Sequence, residues 1–205
     1  MPTRRSLILL VPLLLVAGRA RAADETDEAT QFVKQTGDAI LKVVNGPGTA
    51  AEKRALFTRI VDDAVDVDGV ARFALGRFWG VATPAQRQTY LSLFRQYLVF
   101  NVTGRLNQYK GATFTIDRAE PMNGDVAVST TIHTPSNPPT DMQWMVSFAS
   151  GRPQIVDLVA EGTSLRVTQR SDYASVITRN GTENVQALLD ALRQQITRLE
   201  GSGSG

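Results

Sequence analysis

Apolar positions recur at the spacing of helices through the first half of the chain and at the spacing of strands through much of the second. Ala29, Phe32, Val33, Ile40, Val43 and Val44 fall near a helical period, with Thr26-Asp27 as a cap before them and Asn45-Gly46-Pro47 as a stop. Thr49 and Glu52 stand in capping-box spacing ahead of Leu56, Phe57, Ile60 and Val61. A short helix is predicted to start near Asp68. It contains the stretch ARFALGRFWG, in which Phe73, Leu75, Phe78 and Trp79 are interrupted by Gly76 and Gly80. Thr83-Pro84-Ala85-Gln86 then supplies a cap, a proline at the first helical position and a glutamine at the third. The long helix that follows carries Tyr90, Leu91, Phe94, Tyr97, Leu98, Leu106 and Tyr109 on one broad face until Lys110-Gly111 ends it.

From Thr113 the pattern alternates: Phe114 and Ile116 in one strand, then Val126, Val128, Thr130 and Ile132 in the next, joined by a turn at Asn123-Gly124-Asp125. A proline-rich loop around Pro135, Pro138 and Pro139 leads to a third strand with Met142, Trp144, Val146 and Phe148 on one face, and Gly151 turns the chain into a fourth, Gln154 to Val159. Two helical segments close the chain: roughly Thr168 to Ile177 and, after Asn180-Gly181, a helix presenting Val185, Leu188, Leu189, Leu192, Ile196 and Leu199. The fold class is α+β, a curved antiparallel meander of about four strands packed against several helices.

The ends and the charge change this picture. Arg4 and Arg5, an apolar run from Leu7 to Ala17 and the small residues Ala20 and Ala22 form a secretory leader, so residues 1–22 are expected to be removed and residues 23–200 to form one domain, with 201–205 a flexible tail. The apolar run is too short to span a bilayer. TRRSLIL loosely matches a twin-arginine signal, but the strongly hydrophobic run fits the general secretory route better. The pI of 9.1 is owed to that leader. With its four arginines gone, 18 of the 22 basic residues face 20 acidic ones, a net charge of −2, which excludes electrostatic capture of nucleic acid. The chain has no cysteine, hence no disulfide, thiol chemistry or lipid-bearing cysteine.

Catalysis finds little support. His133 is the single histidine and sits on a strand face opposite the apolar residues, which leaves nothing to build a common metal site. Ser164 in EGTSLR lacks the elbow that exposes a nucleophilic serine, and a triad of Ser164, His133 and Asp157 has no spacing in its favour. Asp62, Asp63, Asp66 and Asp68 lack the register of a calcium loop and read as helix ends and caps. No cofactor and no metal are expected. The aromatic and apolar residues either fill a core or surround an elongated apolar cavity, and composition does not separate the two.

The segment VDVDGVARFALGRFWGVATPAQRQTYLSLFRQYLV resembles the MlaC family of periplasmic lipid carriers, also called the toluene-tolerance family, which includes the hopanoid-associated HpnM proteins. A second block, IVDLVAEGTSLRVTQRSDYASVI, is similar to the family's closing strand and the turn into its next helix, through Asp157, Glu161-Gly162, Ser164-Leu165, Arg170 and Tyr173. The chain departs from the family at Gly151 to Gln154, where an aromatic residue often begins the closing strand. The resemblance implies a soluble, monomeric periplasmic shuttle rather than an enzyme. It implies a phospholipid ligand, an outer-membrane lipoprotein complex and an inner-membrane ABC transporter ring subunit as partners, and a role in outer-membrane lipid asymmetry. It places acyl chains in an elongated apolar cavity enclosed between sheet and helices. The candidate lipid-binding residues are Phe73, Leu75, Phe78, Trp79, Phe94, Tyr97, Leu98, Tyr109, Val128, Trp144, Val146, Phe148 and Val159. A hopanoid or other isoprenoid carrier of the same fold, an interaction module with a solid core and a lipid hydrolase using Ser164 are the alternatives.

Overall fold

The computed structural model describes residues 13–179 and 183–202. Arg4, Arg5, the start of the leader's apolar run, the Asn180-Gly181 turn and the last three residues lie outside the described residues. Helix α1 (Leu13–Asn45) runs unbroken through Ala22-Ala23, so Thr26-Asp27 is helix interior in the full chain rather than a cap. Helix α2 (Ala50–Ala64) has the predicted capping box: Glu52 N donates to Thr49 Oγ1 at 3.2 Å and Thr49 N donates to Glu52 Oε2 at 2.7 Å. Donation from Thr49 N, and from Thr49 Oγ1 at 3.0 Å, holds the Glu52 carboxyl below its usual range.

The short aromatic helix is two helices, α3 (Val67–Leu75) and α4 (Phe78–Val81), divided at Gly76. Asp66 caps α3 by accepting from Gly69 N at 3.0 Å. Helix α5 (Pro84–Thr103) opens on the Thr83 and Gln86 box, as read. It ends earlier than the pattern suggested: Val102 and Thr103 are β-branched, Gly104 is the cap, and Leu106–Tyr109 form a separate turn of 3-10 helix.

Strands β1 (Thr113–Met122), β2 (Asp125–Thr134), β3 (Asn137–Ser147), β4 (Gln154–Ala160) and the two-residue β5 (Thr163–Ser164) form one open antiparallel sheet in chain order. Asn123 (φ 54°) and Gly124 (φ 91°) make the tight β1–β2 hairpin that the sequence announced. Pro138 and Pro139, expected in a loop, belong to β3 where its pairing with β2 is already irregular, a place that tolerates a missing donor. Helices α6 (Leu165–Thr178) and α7 (Val185–Ser202) complete the chain. Helix α6 starts three residues before its predicted start because Ser164 caps it, accepting from Val167 N at 3.2 Å.

Helix α1 lies along β1 and β2, while α5 packs on α7 and α2. The close approach of α1 rests on Gly37, where a Cβ would stand 2.5 Å from the Phe114 ring. The helix on the sheet is α1, and the long aromatic α5 is the centre of a helical bundle with α3, α6 and α7.

Candidate functional site

The two segments that carry the family resemblance meet in space. Tyr90 Oη on α5 donates to the carbonyl of Ala71 on α3 at 2.8 Å, and its ring meets Tyr173 of α6 edge-on at 6.0 Å. The Phe73 ring lies under two guanidiniums of α6, with Arg166 at 4.6 Å and Arg170 at 5.3 Å from its centroid. Gly76 has φ +57°, and a Cβ there would come within 2.9 Å of Arg170 Nε, so a side chain would be strained in conformation and obstructed in space. Gly80 has nothing within 4 Å of where its Cβ would be, so it is not a close-packing glycine.

Asp157 joins the closing strand to α6. Its buried carboxylate accepts from Ser164 Oγ and from Arg166 N at 3.1 Å, and Arg166 Nε lies 3.5 Å away. Glu161 (φ 48°) and Gly162 (φ 78°) form the turn between them. Ser164 Oγ is therefore occupied as a donor to Asp157 and as a helix cap. His133 is exposed on β2, three strands away and several residues along the sheet, on the order of 20 Å distant by strand geometry. The imagined triad is not assembled. The acidic run is likewise divided among separate tasks, with Asp66 capping α3 and Asp62 pairing with Arg95. No group of metal-ligating residues occurs among the described residues.

Apolar side chains form a seam from the sheet into the helices. On the inner sheet face Val126, Val128, Trp144, Val146 and Ile155 pack with Ala29 and Val33 of α1. Phe57, Val61 and Val99 join α2 to α5. Leu75, Phe78, Tyr90, Phe94, Tyr173 and Leu189 belong to the bundle core. Ile40 and Val65 touch both the sheet cluster and the α2–α5 cluster, and Val67 touches the latter and the bundle. Within the sheet, Trp144 Nε1 donates to the buried Thr130 Oγ1 at 3.0 Å.

The thirteen sequence-derived candidates fall into separate places along this seam. Val128, Trp144, Val146 and Phe148 lie in the sheet cluster; Leu75, Phe78, Trp79, Phe94 and Tyr97 lie in or against the bundle; Leu98 lies against the α2–α5 cluster. Phe73 is half-buried beneath its arginines, and Tyr109 is 41% exposed. Val159 pairs with Gln143 and faces the outer side of the sheet, because an irregularity between β3 and β4 leaves Val156 unpaired and turns Leu158 inward. The reading passed over α1, whose Ala29, Phe32, Val33 and Ile40 face the sheet; only their helical spacing signalled that they were buried.

Neither of the two best-formed spaces among the described residues is the elongated apolar cavity that was expected. One of about 330 Å³ is a groove of mixed character on the outer sheet face, lined by Asp117, Arg118, Ser129, Gln143, Met142 and Val159 among others. The other, about 180 Å³, is bounded by Leu75, Arg77, Phe78, Arg170 and Ala174. Between the sheet and α1, Val128, Val146, Ala29 and Val33 are fully buried against one another and their neighbours.

An open antiparallel sheet with one helix along it, a helical bundle behind and a continuous apolar seam between defines an α+β fold of sheet and helices. Residues 34–194 match the family described as MlaC protein, and the chain belongs to the MlaC family. Its fold is also similar to a solved phospholipid-binding protein from Ralstonia solanacearum, described in complex with a phospholipid. That likeness has a TM-score of 0.75 and 23% sequence identity, and it covers 84% of this chain and 99% of that one.

Proposed function

We propose that this chain is a periplasmic phospholipid carrier, exported by its leader and shuttling lipid between an outer-membrane lipoprotein complex and the ring subunit of an inner-membrane ABC transporter. The observation that carries the reading is the apolar seam, continuous through Ile40, Val65 and Val67, in a chain of the MlaC family. The phospholipid held by the Ralstonia protein of the same fold supports it. At about 0.8 kcal/mol per CH₂, two acyl chains hold a lipid in its bilayer by roughly 20 kcal/mol or more, so transport through water needs comparable apolar burial.

The packed interior has a physical reason in a carrier. An empty apolar space of even ~300 Å³, the low end for ligand pockets, costs about 7 kcal/mol at ~24 cal/mol per Å³. That is comparable with the entire stability of a domain, about 5–15 kcal/mol. A carrier without cargo therefore folds shut, and acyl chains enter by parting the apolar seam. Intrinsic release is as slow as desorption from a bilayer, so hand-off takes place in contact with a partner that opens the seam.

Organic extraction and mass spectrometry of the purified protein test this. The expected result is about one phospholipid per chain. A protein that carries none, and takes none from vesicles, is an interaction module with a solid core. Turnover of phospholipid that disappears in Ser164→Ala would instead mark a hydrolase.

A further inference from the structure

The smaller cavity has a floor of bundle-core residues: Leu75 is 1% and Phe78 3% exposed, and half-buried Ala174 packs against the same cluster. At this point, between α3–α4 and α6, the bundle core comes up to the surface. Its mouth carries two guanidiniums, Arg77 and Arg170.

The two arginines are held differently. Arg170 is fixed by the Phe73 ring on one side and the bare backbone of Gly76 on the other, yet neither a hydrogen bond nor an ion pair engages its guanidinium among the described residues. Its donors are thus oriented and unspent, the condition in which a guanidinium binds an anionic oxygen pair with little further loss of freedom. Arg77 lies over Phe78 at 4.8 Å and is engaged by Glu183 at 3.3 Å, a pair exposed enough to exchange partners.

We propose that this mouth is an anion subsite for a phosphodiester: Arg170 and Arg77 hold the lipid phosphate at the surface while the apolar floor of Leu75, Phe78 and Ala174 receives the start of an acyl chain. The inference rests on the carrier reading and adds to it the chemical group that is recognised. Glu183 competes with the phosphate for Arg77, so it weakens the empty site and is displaced when the lipid arrives.

The test compares uptake from mixed vesicles of a phosphatidylglycerol and a diacylglycerol with identical chains, read by mass spectrometry of the recovered protein. Wild type favours the phospholipid. Arg170→Gln lowers that preference about tenfold, the effect of one charge-assisted hydrogen bond, while diacylglycerol uptake is retained. Glu183→Gln raises the preference several-fold, a change of sign that a purely structural role would not produce. Arg77, Arg170 and Glu183 are exposed, so the variants keep the fold, which circular dichroism checks. Inorganic phosphate at millimolar concentration distinguishes the sources: a lipid subsite is only weakly competed, whereas full competition would assign the site to free phosphate and overturn the lipid proposal. Unchanged preference in Arg170→Gln overturns the subsite and leaves the carrier reading standing. Wild type that takes neither lipid overturns both.

Discussion

Tyr90 and Tyr173 show how differently one residue type serves two positions a ring apart. Tyr90 Oη satisfies the Ala71 carbonyl, whereas Tyr173 Oη is buried with no partner among the described residues. Tyr90→Phe should therefore cost about 1–3 kcal/mol, and Tyr173→Phe should cost nothing or stabilise by about 1 kcal/mol; paired urea denaturation curves measure the difference. Burial pushes both phenols well above their ordinary value of 10.0. The folded protein keeps these protons at a pH where the unfolded chain gives them up. Their contribution to stability is full below about pH 10 and is lost as pH rises beyond it. Ionisation of the two, followed by ultraviolet absorbance, should coincide with alkaline unfolding.

Among the elements, the turn from β4 into α6 is held by a single carboxylate. Asp157→Ala removes the ion partner of the part-buried Arg166 together with the acceptor of the Ser164 hydroxyl and of Arg166 N, and is expected to cost about 3 kcal/mol. Ser164→Ala, which removes the cap and one bond to Asp157, is expected to cost less, about 1–2 kcal/mol; thermal melts separate the two. Elements of this kind were legible because their signals are local: Thr49 with Glu52, Thr83 with Gln86 and Asn123-Gly124 act within a few residues of themselves. Partnership between elements was not local and was misread. Helix α5 buries Tyr90, Leu93, Phe94 and Val99 on more than one side, so its period does not say which neighbour it meets. Val159 went to the wrong face because one unpaired residue in β4 reverses everything after it.

For the molecule as a whole, the residue types of an apolar interior were readable, but whether that interior stands open was not. Openness depends on a balance of cavity cost against cargo, which no residue encodes alone. Under the proposed function the loaded and unloaded forms differ in stability, because cargo binds only the folded state. Protein stripped of lipid is expected to melt lower than protein as purified, with faster amide exchange in α1 and in the inner strands. Equal melting temperatures and equal exchange would show that the seam does not part.

Under the proposed function, the packed interior also sets how the molecule would behave between journeys. A hold that closes once emptied would keep its greasy lining from water, so lipid-stripped copies are expected to stay dispersed as concentration rises, which light scattering measures.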